Sequence, residues 1–165
     1  CVFHGAVISY DGRGYIFTAP SGTGKTTHIR LWQKYLDGVE IVNGDKPVLH
    51  ITEEKVTAYA TPYAGKEGYQ NHSSCDVDAI CLVEQAKENT IRRLSVSECL
   101  MRVMTQMYKP FDTAAAVRTL DLLDRLLRRV PVFVLGCDIS EEAVKCSFEA
   151  MTNLSFDERK HNDED

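Results

Sequence analysis

The segment APSGTGKTT, residues 19–27, restricts the fold of this chain more than any other feature. It has Ala19, four further residues and then Gly24-Lys25-Thr26, and it lies between a β-rich apolar run and a helix-like run. Glycines at this spacing let backbone N–H groups turn towards phosphate, and the following helix adds its N-terminal donors and positive dipole end. The segment therefore predicts a phosphate-binding loop between a strand and a helix, hereafter the phosphate loop, and with it an α/β fold.

The phosphate loop predicts a nucleoside triphosphate as the ligand, with ATP and Mg²⁺ as the expected pair. Lys25 is expected to reach the β- and γ-phosphates, and the hydroxyl of Thr26 is expected to take a position on Mg²⁺. The residues that we expect to bind the nucleotide are Ser21, Gly22, Thr23, Gly24, Lys25, Thr26 and Thr27. A phosphate loop alone does not identify the reaction, so the neighbouring segments must do so.

Runs of apolar and β-branched residues predict the strands of a mixed sheet. The first two runs flank Asp11-Gly12, a pair that suits the tight turn of a β-hairpin. Residues 25–36 predict the helix after the phosphate loop, and it should end at Asp37-Gly38. Further strands are predicted, in chain order, at VEIVN, PVLHI, KVTAYA, VDAICLVE and VFVLG.

Helical patterns dominate the last third of the chain. Ser95 and Glu98 have the spacing of a capping box, which predicts a helix that continues to about Met107. Residues 112–130 and 140–151 predict two more helices. We expect the apolar stripe of the first of these to lie in the core, and its members are Val117, Leu120, Leu123 and Leu127.

Length, charge and cysteine pattern exclude several classes of protein. The chain of 165 residues suits a single domain, its net charge of −5 argues against a nucleic-acid partner, and no apolar run approaches the roughly 20 residues that cross a bilayer. Its six cysteines show no CxxC pair and no zinc spacing, so we expect reduced, mostly buried thiols in a cytoplasmic protein.

The domain is expected to cover residues 1–152, and residues 153–165 are expected to form a polar, acidic tail without fixed structure. The chain enters an apolar strand directly after Cys1. We therefore expect it to be a fragment of a longer chain.

Phosphoryl transfer needs a group that orients or deprotonates the incoming nucleophile. Asp45 follows VEIVNG and lies 20 residues after Lys25, about one helix and one strand, so its strand can return beside the strand of the phosphate loop. Glu84 also ends a predicted strand, but the sequence does not place that strand, and Glu84 ranks below Asp45. Lys66 and Glu67, between glycines in AGKEG, suit a lid over phosphate or metal.

Four segments together resemble the kinase domain of HPr kinase/phosphorylase and its relatives: FHGAVI, APSGTGKTT, VNGDKP and YATPYAGKEG. The likeness spans most of residues 2–150, and the fold of that family is similar to the nucleotide-binding core of ATP-dependent phosphoenolpyruvate carboxykinase. The resemblance implies a mixed sheet flanked by helices. It also implies an ATP- and Mg²⁺-dependent serine kinase whose acceptor is a hydroxyl of a protein, peptide or small molecule.

The resemblance also assigns roles to individual residues. It implies that His4, otherwise read as a structural histidine in an apolar strand, belongs to the active site, and that Asp45 is the base and a metal-linked acid. Two departures from the family pattern stand out. Gly44 takes a position where the family often has an acid, and no acid-x-Arg-Gly motif follows the phosphate loop. Glu67 lies at a similar distance from the loop and is the candidate for the second metal contact.

Two alternatives to a kinase remain open. Gly44 favours a nucleotide-binding regulatory module that does not turn over a substrate. A small-molecule enzyme of the carboxykinase type would need a Lys/His metal set that the sequence does not reveal. None of these functions calls for a nucleic acid or a membrane, and assembly into a homo-oligomer is left open.

Overall fold

The computed structural model describes residues 2–19, 24–44, 46–60, 74–104 and 112–161. Within these ranges, one mixed sheet of eight strands is flanked by five helices, which confirms the predicted α/β class. In chain order the elements are β1 (Ala6–Tyr10), β2 (Arg13–Thr18), α1 (Lys25–Tyr35), β3 (Glu40–Asn43), β4 (Val48–Ile51), β5 (Val56–Tyr59), β6 (Ser74–Gln85), β7 (Thr90–Arg93), α2 (Val96–Met104), α3 (Thr113–Arg129), β8 (Val132–Cys137), α4 (Glu141–Thr152) and α5 (Phe156–Arg159).

The sheet brings the ends of four strands to one edge. Its order is β3-β1-β2-β6-β5-β4, with β8 paired to β6 and β7 paired to β8. Strands β2, β6 and β8 are parallel, and β3 runs in the same direction because both β2 and β3 pair antiparallel with β1. We call the edge at which these four strands end the carboxyl edge. The ends of their strands are Thr18, Asn43, Gln85 and Cys137.

The predicted hairpin between β1 and β2 is confirmed, and its turn has the expected chemistry. Asp11 and Gly12 have φ angles of 52° and 76°. Positive φ at both central positions defines the type I′ turn, whose twist matches that of the two strands, and Asp-Gly tolerates it well.

Strand β6 is longer than predicted because it serves two sets of neighbours. Its first residues pair with β5, and its last six pair with β8. A bulge at Asp78 adds one residue relative to β2, since Gly14 lies opposite Val77 and Tyr15 opposite Ala79. The extra residue reverses which side chains face which side of the sheet.

Two apolar cores lie on the two faces of the sheet. On one face, α1 and α4 cover a core that includes Trp32 and Phe148, whose ring centroids are 5.5 Å apart. On the other face, α2 and α3 contribute Cys99, Leu123 and Leu126 to a second core. No helix in the described part of the chain is long and apolar enough to cross a membrane.

Only the C-terminal half of α3 reaches the core, so the prediction of a fully buried stripe is wrong for its first two members. Val117 and Leu120 are 62% and 47% exposed, whereas Leu123 and Leu126 are fully buried. Helical spacing predicts which residues share a face, but it does not predict which part of that face packs against the core.

The structure also corrects the expected tail. Residues 153–161 are folded: Phe156 is 1% exposed in the core under α4, and its ring lies 6.1 Å from that of Phe148. Beyond α5, His161 donates its backbone N–H to the carbonyl of Tyr35 at 2.6 Å. The charged residues of this segment led to the prediction of a tail without fixed structure, although one apolar residue, Phe156, is buried in the core.

Candidate functional site

The phosphate loop begins at the carboxyl edge. Strand β2 ends at Thr18, and α1 begins at Lys25. Gly24, the N-cap of α1, has φ 94° with open space where a side chain would be, so a side chain there would be strained by the backbone alone. Ser21, Gly22 and Thr23 lie outside the described residues. Strand β2 and helix α1 are the strand before and the helix after that the phosphate loop requires.

The start of α1 suits an anion. Its first turn has no acidic side chain, and none of the described side chains caps it, whereas α3 is capped by Asp112 and α4 by Ser140. Lys25 and Thr26 are half-buried and Thr27 is exposed. A helix start with these residues presents N–H groups, a cation and hydroxyls to a phosphate.

His4 lies at the carboxyl edge, beside the end of β2. The Thr18 hydroxyl donates to the carbonyl of His4 at 2.8 Å. On its other side, Phe3 donates its N–H to the carbonyl of Pro47 at 3.1 Å. A Cβ at Gly5 would approach the carbonyl of Phe17 to 3.0 Å, so glycine allows this close crossing.

The segment around Asp45 follows β3 at the same edge. Asn43 is fully buried, and its Oδ1 accepts a hydrogen bond from the backbone N–H of Lys46 at 2.9 Å. Gly44 and Lys46 are thus held at the edge, while Asp45 itself is outside the part that the structure describes. The prediction that its strand lies directly beside β2 is wrong, because β1 stands between them. The chain at Phe3 and His4 therefore lies between the end of β2 and the segment that follows β3.

Glu67 belongs to the segment between β5 and β6, and the end of β5 also lies opposite Val48, which bridges Val2 two residues before His4. Tyr59, the end of β5, lies opposite Ser74, the start of β6, and Asp76 lies opposite Arg13, the start of β2. Glu67 is not among the described residues, and its role as a metal contact stays a prediction.

Glu84 lies at the carboxyl edge, on the strand next to β2. Its carboxylate accepts a hydrogen bond from Arg102 of α2, with Nη1 and Oε1 2.6 Å apart. The sequence ranked Glu84 below Asp45 because it could not show that β6 pairs with β2. That pairing is the information that the structure adds.

A buried polar cluster lies between α1 and α4, and no local sequence pattern indicates it. Nε2 of His28 and the indole N–H of Trp32 both lie 2.8 Å from the Ser147 hydroxyl, which also lies 3.2 Å from the carbonyl of Val144. If the hydroxyl donates to that carbonyl, Nε2 of His28 carries the proton. His28 is 119 positions from Ser147, so no local pattern could reveal the pair.

The environment of His28 keeps its ring neutral. Burial lowers its pKa to about 4. Nδ1 of His28 is buried, and none of the described groups hydrogen-bonds to it. A charged imidazolium is therefore disfavoured next to the first turn of α1.

The residues at the carboxyl edge fit a magnesium–nucleotide complex. Mg²⁺ is usually held by one or two carboxylates together with the phosphates and water, rather than by a cage of side chains. Among the described residues no group of three or more His, Cys, Asp or Glu side chains forms such a cage. The Thr26 hydroxyl and the carboxylates at this edge are donors of the kind that Mg²⁺ accepts.

Comparisons with known proteins support the fold. No protein-family profile matches the sequence, and no curated protein sequence matches it. Among solved structures, the HPr(Ser) kinase/phosphatase from Coxiella burnetii is similar, with a TM-score of 0.51 and 11% identity over 93% of this chain and 88% of that chain. A similarity with so low a sequence identity supports a common fold and nothing beyond it. The predicted HPr-kinase-like α/β fold is thus confirmed, and the roles of individual residues stay predictions.

Proposed function

We propose that this protein is an ATP- and Mg²⁺-dependent phosphotransferase that transfers the γ-phosphoryl group to a hydroxyl, and that the acceptor is a seryl hydroxyl of a protein, peptide or small molecule. One observation carries the proposal. The end of β2, which leads into the phosphate loop, lies beside His4, and the residues just before β1 contact Pro47 in the segment that follows β3. In open α/β sheets, ligands bind at this edge.

The chemistry follows from the residue types at that edge. Lys25 would neutralise charge on the β- and γ-phosphates, and the donors of α1 would orient them. Asp45 would orient or deprotonate the acceptor hydroxyl. Mg²⁺ would supply charge neutralisation at the phosphate oxygens, with Thr26 as one contact. His4 would contact the acceptor or the transferred group from between the two segments.

A nucleotide-binding regulatory module is the second candidate. Gly44 favours it, because a single acid at this position leaves the metal less firmly held than a pair would. Such a protein would bind ATP without an acceptor.

Transfer of labelled phosphate tests the proposal. The protein is incubated with Mg²⁺ and γ-labelled ATP, and HPr, seryl peptides and free serine are offered as acceptors. We expect label in one acceptor. We expect Asp45→Asn to retain ATP binding but to lower the transfer rate by about 10²- to 10⁴-fold, the usual contribution of a general base.

Asp37→Asn is the matched control, because it removes an exposed carboxylate after the far end of α1. It should transfer at the wild-type rate. If Asp45→Asn also transferred at the wild-type rate, the assignment of the base would be wrong. ATP binding without label in any acceptor would favour the regulatory module.

A further inference from the structure

The proposed function, on which this inference rests, needs its base at a fixed position in the turn that follows β3. Gly44 precedes Asp45, and glycine leaves the backbone more conformational freedom than any other residue does. A misplacement of about 1 Å in an active site can lower the rate about 10²-fold. The proposed reaction therefore requires that other residues restrict the backbone of this turn.

Asn43 restricts the middle of the turn. It is the last residue of β3, and its side chain is fully buried. Burying an amide costs free energy unless the amide is hydrogen-bonded, so a buried asparagine indicates a specific partner. One partner is the backbone N–H of Lys46, which donates to Oδ1 at 2.9 Å. This hydrogen bond joins the residues on the two sides of Gly44 and Asp45.

The chain on either side of His4 restricts the two ends of the same turn. Asn43 pairs with Val7 of β1, and Val48 forms an isolated antiparallel bridge with Val2. The turn after β3 is therefore attached, before and after Asp45, to the segment that lies beside the end of β2. The hydrogen bond of the Asn43 side chain acts between these two attachments.

Another turn of this chain has a hydrogen bond of the same spacing. Oγ1 of Thr52, after β4, accepts the backbone N–H of Lys55 at 3.1 Å. Short polar side chains commonly hold turns in this way. The turn at Thr52 is exposed and connects β4 to β5, whereas Asn43 is buried and its bond encloses the proposed base. The comparison indicates that a threonine hydroxyl can replace the amide oxygen at this spacing.

We propose that Asn43 is a positioning residue for Asp45. Its buried carboxamide fixes the backbone that carries the base, and it thereby determines the rate of phosphoryl transfer and not the affinity for ATP. Asn43 acts through Asp45 rather than on the reacting atoms, and it offsets the conformational freedom that Gly44 introduces.

Two variants of the same shape test the proposal. Asn43→Val removes the hydrogen-bond acceptor, and Asn43→Thr keeps one at the spacing that Thr52 uses. Transfer from γ-labelled ATP in Mg²⁺ is measured at saturating substrate, with whichever of HPr, a seryl peptide or free serine the wild type labels. We expect kcat to be about 10- to 100-fold below the wild-type value in Asn43→Val and within about threefold of it in Asn43→Thr. The Kd for ATP, measured by calorimetry, should change by less than about twofold in both variants.

A protein without the base distinguishes positioning from a general effect on stability. When Asp45→Asn is added to both variants, their rates should become equal, because no base is left to position. Thr57→Val is the control on β5: it removes a buried hydroxyl that donates to Oδ1 of Asp76 at 3.2 Å, and it should transfer phosphate at the wild-type rate. Circular dichroism establishes that each variant is folded, and Asn43→Ala replaces Asn43→Val if that variant does not fold.

Three results would overturn the inference. Equal kcat values in Asn43→Val and Asn43→Thr would show that the hydrogen bond does not affect the rate. The same ratio of rates with and without Asp45 would show that Asn43 does not act through the base. A Kd for ATP raised at least about tenfold in Asn43→Val, with kcat unchanged, would assign Asn43 to nucleotide binding. Failure of the proposed function is a separate result, because the wild type itself would then label no acceptor.

Discussion

At the scale of single residues, the least expected finding is the neutral, buried His28. The sequence placed it one turn into the helix after the phosphate loop, but its partners come from the other end of the chain. By contrast, Asp11-Gly12 and the pair Ser95 and Glu98 were predictable, because their partners are local: Glu98 accepts the N–H of Ser95 at 3.0 Å. Sequence patterns report local hydrogen bonding well and distant hydrogen bonding poorly.

Acid should destabilise the protein through His28. Burial lowers the pKa of His28 to about 4 in the folded state from an ordinary value of 6.5. The stability that the folded protein has with a neutral His28 is therefore complete above pH 6.5 and is lost as the pH falls towards 4. Between pH 7 and pH 5 the free energy of unfolding should fall by about 2 kcal/mol more in the wild type than in His28→Gln. Urea denaturation at the two pH values measures the difference.

The exposed His50 provides the control for this experiment. His50→Gln on β4 should show the same fall between pH 7 and pH 5 as the wild type. Equal pH dependence in His28→Gln and the wild type would contradict the account of a buried neutral ring.

At the scale of elements, the sequence predicted most helices and strands but not how far each is buried. It missed β7, whose four residues include two arginines, and it missed α5 among the charges of the tail. It also assigned Val117 to the core, although only the C-terminal half of α3, from Leu123 onward, is buried there. In each case the deciding factor was the position of a neighbouring element, which periodicity does not contain.

The folded tail leads to a prediction about stability. Phe156→Ala should lower the free energy of unfolding by about 3 kcal/mol, because it removes a fully buried aromatic ring between α4 and α5. Lys160→Ala is the control: it breaks a partly exposed ion pair with Glu141 at 3.4 Å, and it should cost less than about 1 kcal/mol. Urea denaturation monitored by circular dichroism distinguishes the two. A cost below about 1 kcal/mol for Phe156→Ala would mean that the tail is not part of the folded core.

At the scale of the whole molecule, the sheet order determines which segments form the site. The strand and the helix on either side of the phosphate loop were predictable from its spacing, and the α/β class followed from it. Sequence could not show that β1 lies between β2 and β3, or that β6 lies beside β2. These facts depend on strand pairing between distant segments.

The central claim is that the start of α1 binds the phosphates of ATP. Lys25→Ala and Lys34→Ala test it most directly, because both remove one positive charge from the same helix, and Lys34 lies in its last turn. Isothermal titration calorimetry with ATP and Mg²⁺ should show binding by the wild type and Lys34→Ala, and binding at least tenfold weaker by Lys25→Ala, a difference of about 1.4 kcal/mol. Equal affinities in all three proteins, or no binding by the wild type, would contradict the claim.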